Sequence, residues 1–122
     1  MTVMPRASAC PLWQKTKQLL GEVYVLRTDT PVNAHAELAA ALRRTSVSIA
    51  SAVAKSHCAT PSADRTNRLR GADDSLQQLR TYLFLAQSVY GAGEDAHDCL
   101  NTVSDIRRML RASISMEVMD HA

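Results

Sequence analysis

Apolar residues recur at three- and four-residue spacing in four stretches of the chain, and short polar breaks separate them. The stretches cover roughly residues 11–27, 32–57, 62–90 and 94–119, each long enough for a helix with one buried side. In the first, Leu12, Trp13, Thr16, Leu19, Leu20, Val23, Tyr24 and Leu26 share one broad side, with Gln14, Gln18 and Glu22 opposite. In the second, Leu38, Leu42, Thr45, Ile49 and Val53 form a stripe, with Arg44, Ser51 and Lys55 facing away. The small and hydroxyl residues between Arg44 and Ser56 let a neighbouring helix come close. In the third, Leu69, Ala72, Leu76, Leu79, Leu83, Ala86 and Tyr90 repeat as the seam of a bundle does. In the fourth, Leu100, Val103, Ile106, Leu110 and Ile114 make the stripe, with Met109 and Met116 on one flank and three arginines on the other.

The breaks carry stop and start signals. In "LRTDTPVN", Asp29 or Thr30 can cap a helix whose first position is Pro31, and Thr60 with Pro61 repeats that logic in "CATPSAD". In "YGAGED", Gly91 can end a helix in the left-handed conformation, and Glu94 and Asp95 then sit where the next helix dipole favours acids. No run alternates with period two between turn signals. The expectation is an all-α chain, a single-domain antiparallel up-down four-helix bundle over residues 1–122. The stretch "YLFLAQSVY" is apolar nearly all round, so a second subunit is expected to cover Tyr82, Phe84, Leu85 and Val89.

Composition sharpens this picture in two places. Aromatic residues are only 4% of the chain, so the core must be built from Leu, Ile, Val, Ala and Met. The net charge is +2, from 14 Lys and Arg against 12 Asp and Glu, too small by itself to argue for nucleic acid. The cations are mostly arginine, which suits phosphate, although high-GC codon usage produces the same bias without function. They cluster as Arg43 with Arg44, as Arg65, Arg68 and Arg70, and as Arg107, Arg108 and Arg111, each of which also reads as a solvated face. Arg65, Arg68 and Arg70 open a helix where the dipole disfavours cations.

Catalytic chemistry is hard to find. There is no phosphate-binding loop and no nucleophile elbow. Ser46, Ser48 and Ser51 have no acid–base pair beside them and read as packing residues. Asp73 and Asp74 are adjacent, so they diverge by about 100° on a helix. His57 with Cys58, and His97 with Cys99, lack the spacing of zinc pairs; a metal-dependent enzyme would rest on these alone. The reading is a non-enzyme without catalytic residues, metal or cofactor. Cys10, Cys58 and Cys99 are odd in number and unpaired in spacing, which suits a reducing cytoplasm. The first residues lack the apolar run of a secretory signal, and no stretch is long and apolar enough to span a membrane.

Four segments taken together carry a resemblance: "LWQKTKQLLGEVY", "LRRTSVSIASAVA", "ADDSLQQLRTYLFLA" and "DIRRMLRASI". In this order the chain resembles the four-helix-bundle proteins encoded in intervening sequences of bacterial 23S ribosomal RNA genes. The accessory variability protein of diversity-generating retroelements shares that fold. The family's second helix reads like an arginine pair followed by V-S-I-P-x-N-I-A-E-G. Arg43, Arg44, Val47, Ser48, Ile49, Ser51 and Ala54 match it. Ala50 stands in place of the proline, Ala52 of the asparagine, Lys55 of the glutamate and Ser56 of the glycine, so a straighter, longer helix is expected.

The resemblance implies a homopentamer, a ring or barrel of five bundles. The retroelement relatives bind nucleic acid and a reverse transcriptase through a basic surface. Phosphate contacts are then expected from Arg43, Arg44, Lys55, Arg65, Arg68, Arg70, Arg107, Arg108 and Arg111, without sequence specificity because no base-reading module is visible. Five-fold repetition would make weak clusters count. The alternative is a protein–protein interaction ring in which the arginines pair with Glu37, Asp73, Asp74 or Asp105 of a neighbour.

Overall fold

The computed structural model describes residues 10–26, 33–58, 63–91 and 93–120. They form four helices: α1 (Pro11–Val25), α2 (Asn33–Cys58), α3 (Ala63–Tyr90) and α4 (Gly93–Asp120), with no strand among the described residues. Each helix packs on its sequence neighbours and α1 closes the set against α4. The pairings fix the directions. Gln18 and Lys15 of α1 meet Thr102 and Asp105 of α4 in descending order, and Arg65 at the start of α3 meets Ser56 and Glu117 near the ends of α2 and α4. Neighbours are therefore antiparallel, the arrangement of an up-down four-helix bundle.

Local chemistry explains the helix ends that are described. Pro11 opens α1, where its missing N–H costs nothing, and the Gln14 N–H donates to the Cys10 carbonyl at 3.0 Å. Gly91 (φ 69°) and Gly93 (φ 51°) both take the left-handed conformation and turn the chain between α3 and α4. The caps expected at Asp29, Thr30, Pro31, Thr60 and Pro61 lie outside the described residues.

The core is aliphatic. Leu42, Ile49 and Val53 of α2, Leu76, Leu79 and Leu83 of α3, and Val103, Ile106 and Leu110 of α4 close around Leu19 of α1. Buried hydroxyls are tied to their own helices. Thr45 donates to the Ala41 carbonyl at 2.7 Å, Ser46 to Arg43 at 2.9 Å and Ser56 to Val53 at 2.6 Å. The buried hydroxyls of α2 are thus satisfied without side-chain partners, and its small residues let its neighbours approach. Helix α2 runs unbroken for 26 residues, with Ala50 buried where the family pattern has proline.

Two stripes differ from the sequence reading. On α1 the buried residues are Leu12, Thr16, Leu19 and Val23, whereas Trp13 and Leu20 are half-buried and Tyr24 is exposed. The apolar side of α1 is wider than the strip that α2 and α4 cover, so its outer residues stay partly or wholly exposed. On α4, Ala96, Cys99 and Thr102 are buried too, and Met116 is exposed.

Arg65 is a structural residue as well as a cation. Its Nε donates to the Ser56 carbonyl at 2.9 Å, and its Nη1 lies 3.0 Å from Glu117 Oε1. Both side chains are mostly buried. Arg65→Met is expected to cost on the order of 1–2 kcal/mol, between the values for exposed and fully buried pairs. Arg70→Met, on the exposed face of the same helix, is expected to stay within about 0.5 kcal/mol of the parent. Urea midpoints measured at constant m check both.

Candidate functional site

Helices α2 and α3 lie side by side and leave a groove between their solvent edges. Arg44, Ser48, Ser51 and Lys55 line it from α2, a one-sided stripe of steps four, three and four. Arg68, Gly71 and Ser75 line it from α3 at steps of three and four. Val47 and Ala52 supply apolar atoms, and the groove, open to solvent, has a volume of about 610 Å³. A smaller depression of about 200 Å³ continues it past Arg44, Ser48 and Ser75 to Gln78 and Tyr82. Because the helices are antiparallel, Lys55 and Arg68 share one end and Arg44 lies towards the other.

The groove is cationic. Arg44 and Lys55 meet no carboxylate at ion-pair distance among the described residues. Arg68 is shared with Asp64, one turn earlier, at 3.1 Å. No acid is among the lining residues. Two positions where the chain departs from the family pattern, Ala52 and Lys55, both face this space. The hydroxyls of Ser48, Ser51 and Ser75 make no hydrogen bond among the described residues, unlike the buried hydroxyls of Thr45, Ser46 and Ser56.

The other basic residues lie elsewhere. Arg43 turns towards α1 and stacks over the Tyr24 ring at 5.3 Å. Arg65 faces inward, as described, and Arg70 is exposed outside the groove lining. On α4, Arg107 donates to Gln77 across the α3 seam at 2.7 Å, in the amide orientation that satisfies both groups. Arg108 holds Asp105 at 2.9 Å, and Lys15 approaches the same carboxylate at 3.4 Å. Hydrogen bonds from Arg108 and Lys15 keep the Asp105 carboxyl below its ordinary range. Arg111 is exposed.

Of the nine basic positions singled out in the sequence, Arg44, Lys55 and Arg68 therefore converge and six do not. Ser48, Ser51, Ser75 and Gln78 complete the site. Two sequence signals could have found its walls separately: the spacing of Arg44, Ser48, Ser51 and Lys55 on α2, and that of Arg68, Gly71, Ser75, Gln78 and Tyr82 on α3.

Tyr82 separates from the other residues expected at a subunit interface. It is half-buried at the groove's far end, where the Gln78 Nε2 donates to its hydroxyl at 3.1 Å. Phe84, Leu85 and Val89 are exposed, with the Arg80 guanidinium 5.1 Å from the Phe84 ring centroid. Among the acidic candidates, Glu37 and Asp74 are exposed, Asp105 is engaged, and Asp73 has one buried oxygen, Oδ1, without a hydrogen-bond partner.

The metal reading gains no support. Cys99 is fully buried, and burial, assisted by Glu22, Asp95 and Asp98, pushes its thiol up to about 12, so it stays protonated at neutral pH. His97 is exposed, and the side chains of His57 and Cys58 lie outside the described residues. Among the described residues no three His, Cys, Asp or Glu side chains gather as a metal site, and no helix is long and apolar enough to cross a membrane.

No curated protein matches the chain. The model of the family described as 23S rRNA-intervening sequence protein matches residues 9–112, which take in α1, α2, α3 and most of α4. By that match, and by the segments quoted from each helix, the chain belongs to the 23S rRNA-intervening sequence protein family.

Proposed function

We propose that this protein is a non-enzymatic, homopentameric scaffold that binds nucleic-acid backbones in the cytoplasm without reading sequence. The observation that carries the reading is the α2–α3 groove, where Arg44, Lys55 and Arg68 converge without an acid in the lining. Such a surface attracts phosphate electrostatically and has no base-reading element. Membership of a family named for an RNA intervening sequence points the same way. Exposed Phe84, Leu85 and Val89 support self-association, since a stripe of large apolar side chains on one helix is a common subunit contact. Resemblance to the retroelement accessory proteins adds a reverse transcriptase as a candidate partner.

A second reading, a protein–protein interaction ring, draws on Glu37 and Asp74, exposed carboxylates that a neighbouring subunit's arginine can reach. Light scattering across a salt series, with absorbance at 260 and 280 nm, separates the two. A pentamer that takes up added RNA at low salt and sheds it at high salt is the expected result. A pentamer that never takes up RNA would leave the interaction ring, and a monomer would remove the subunit part of both readings.

A further inference from the structure

We propose that the α2–α3 groove seats one single strand of nucleic acid, with its phosphates along the groove and a base on Tyr82. This rests on the nucleic-acid reading above and specifies where the strand lies and in what form it binds. Three features of the groove support it.

The first is the placement of charge. Arg44 and Lys55 are eleven positions apart on α2, on the order of 16 Å along the axis. Arg68 joins Lys55 at its end. One phosphate cannot reach both poles, whereas a short run of linked phosphates can. The second is the floor between the poles. Ser48, Ser51 and Ser75 point hydroxyls into the groove that are not spent on their own helices. Free hydroxyls donate well to phosphate oxygens and add no charge of their own. The third is the end beyond Arg44, where Gln78 and Tyr82 line the continuation. A half-exposed aromatic ring beside an amide can stack and hydrogen-bond an unpaired base.

The same features favour a strand over a duplex. A slot between two adjacent helices is concave along one line and accepts one backbone. A duplex presents paired bases turned inward, which leaves nothing to stack on Tyr82. A mononucleotide would satisfy one pole only.

Gly71 makes this testable without damaging the fold. It lies in the groove wall, and a Cβ added there meets no atom within 4 Å. Gly71→Glu therefore places a carboxylate inside the slot in a position that favours helix, and Gly71→Ala is its control. Fluorescence anisotropy would use the full-length assembly, a labelled 12-nucleotide oligouridine, and the same strand paired with oligoadenosine. Circular dichroism melting and native mass would confirm that each variant is folded and assembled. Wild type is expected to prefer the strand, and uridine monophosphate should not displace it. Gly71→Glu should weaken strand binding about tenfold or more while Gly71→Ala changes it little. Tyr82→Ala should weaken the strand about tenfold and leave the duplex unaffected.

Equal binding of strand and duplex, displacement by the monophosphate, or a Gly71→Glu variant that binds like wild type would overturn the proposal. If Gly71→Glu binds normally while Arg107→Gln with Arg111→Gln loses the strand, the nucleic-acid reading stands and the groove is the wrong place. If wild type binds neither ligand at low salt, the nucleic-acid reading falls and takes this proposal with it.

Discussion

Leu79→Ala is expected to lower the free energy of unfolding by about 3 kcal/mol, and Leu85→Ala, six residues later in the same helix, by under about 0.5 kcal/mol in dilute protein. Leucine and alanine are close in helix propensity, so the contrast measures packing and not the tendency of α3 to form. Leu79 is wholly buried in the aliphatic core between α2 and α4, and truncation leaves a cavity that rigid neighbours only partly fill. Leu85 is 44% exposed, and its truncation removes contacts the isolated bundle scarcely makes. Urea unfolding over a range of protein concentrations checks both. If other subunits cover Leu85, its cost grows with concentration, because assembly stabilises only the folded form. The cost of Leu79→Ala in dilute protein does not depend on that. Equal costs for the two in dilute protein would mean that α3 packs in another register.

That comparison also marks what could be read from the sequence. The stripes of α2 and α3 were legible because large apolar residues occupy one side at strict three- and four-residue steps, and Leu42, Ile49, Val53, Leu76, Leu79 and Leu83 are all in the core. Gly91 ends α3 in the left-handed conformation that its place in "YGAGED" suggested, because that signal acts through local chemistry alone. On α1 the pattern was too generous, because periodicity says which side is apolar and not how much of it the neighbours will cover. On α4 it was too strict: Ala96, Cys99 and Thr102 are small or polar, and their burial depends on the approach of α1, where Gln18 donates to Thr102.

The pairing of the groove's two walls was beyond the reach of periodicity. Lys55 and Arg68 lie on opposite sides of a helix break, and only the register of α2 against α3 brings them to one end. The same limit hid Arg65, which reads as part of a surface cluster until the start of α3 is set against Ser56 and Glu117. Charge clusters in a sequence are local, whereas sites in a bundle form between helices. The runs Arg43–Arg44 and Arg107–Arg108 illustrate this. Arg43 goes to Tyr24 and Arg44 to the groove, while Arg107 goes to Gln77 and Arg108 to Asp105.

The double substitution Arg44→Glu with Lys55→Glu should therefore abolish RNA binding where loss of Arg108 does not. With three groove cations facing a single strand, the logarithm of affinity should fall against the logarithm of salt with a slope of about −2 per groove. Arg68 contributes less than a full charge because Asp64 sits 3.1 Å away. Between low and physiological salt that slope amounts to roughly a tenfold loss, multiplied where one RNA crosses several subunits. Reversing Arg44 and Lys55 leaves Arg68 against two carboxylates. The slope should then approach zero and low-salt affinity drop by about a hundredfold or more. Both side chains are exposed and unpaired among the described residues, so stability should change by no more than about 0.5 kcal/mol, which keeps the loss a binding effect. Arg108→Gln is the informative contrast. Its charge is already offset by Asp105 at 2.9 Å, so its removal should leave the salt slope nearly unchanged. A slope that responds to Arg108 and ignores the groove pair would move the phosphate contacts to α4 and leave the α2–α3 groove without a role in RNA binding.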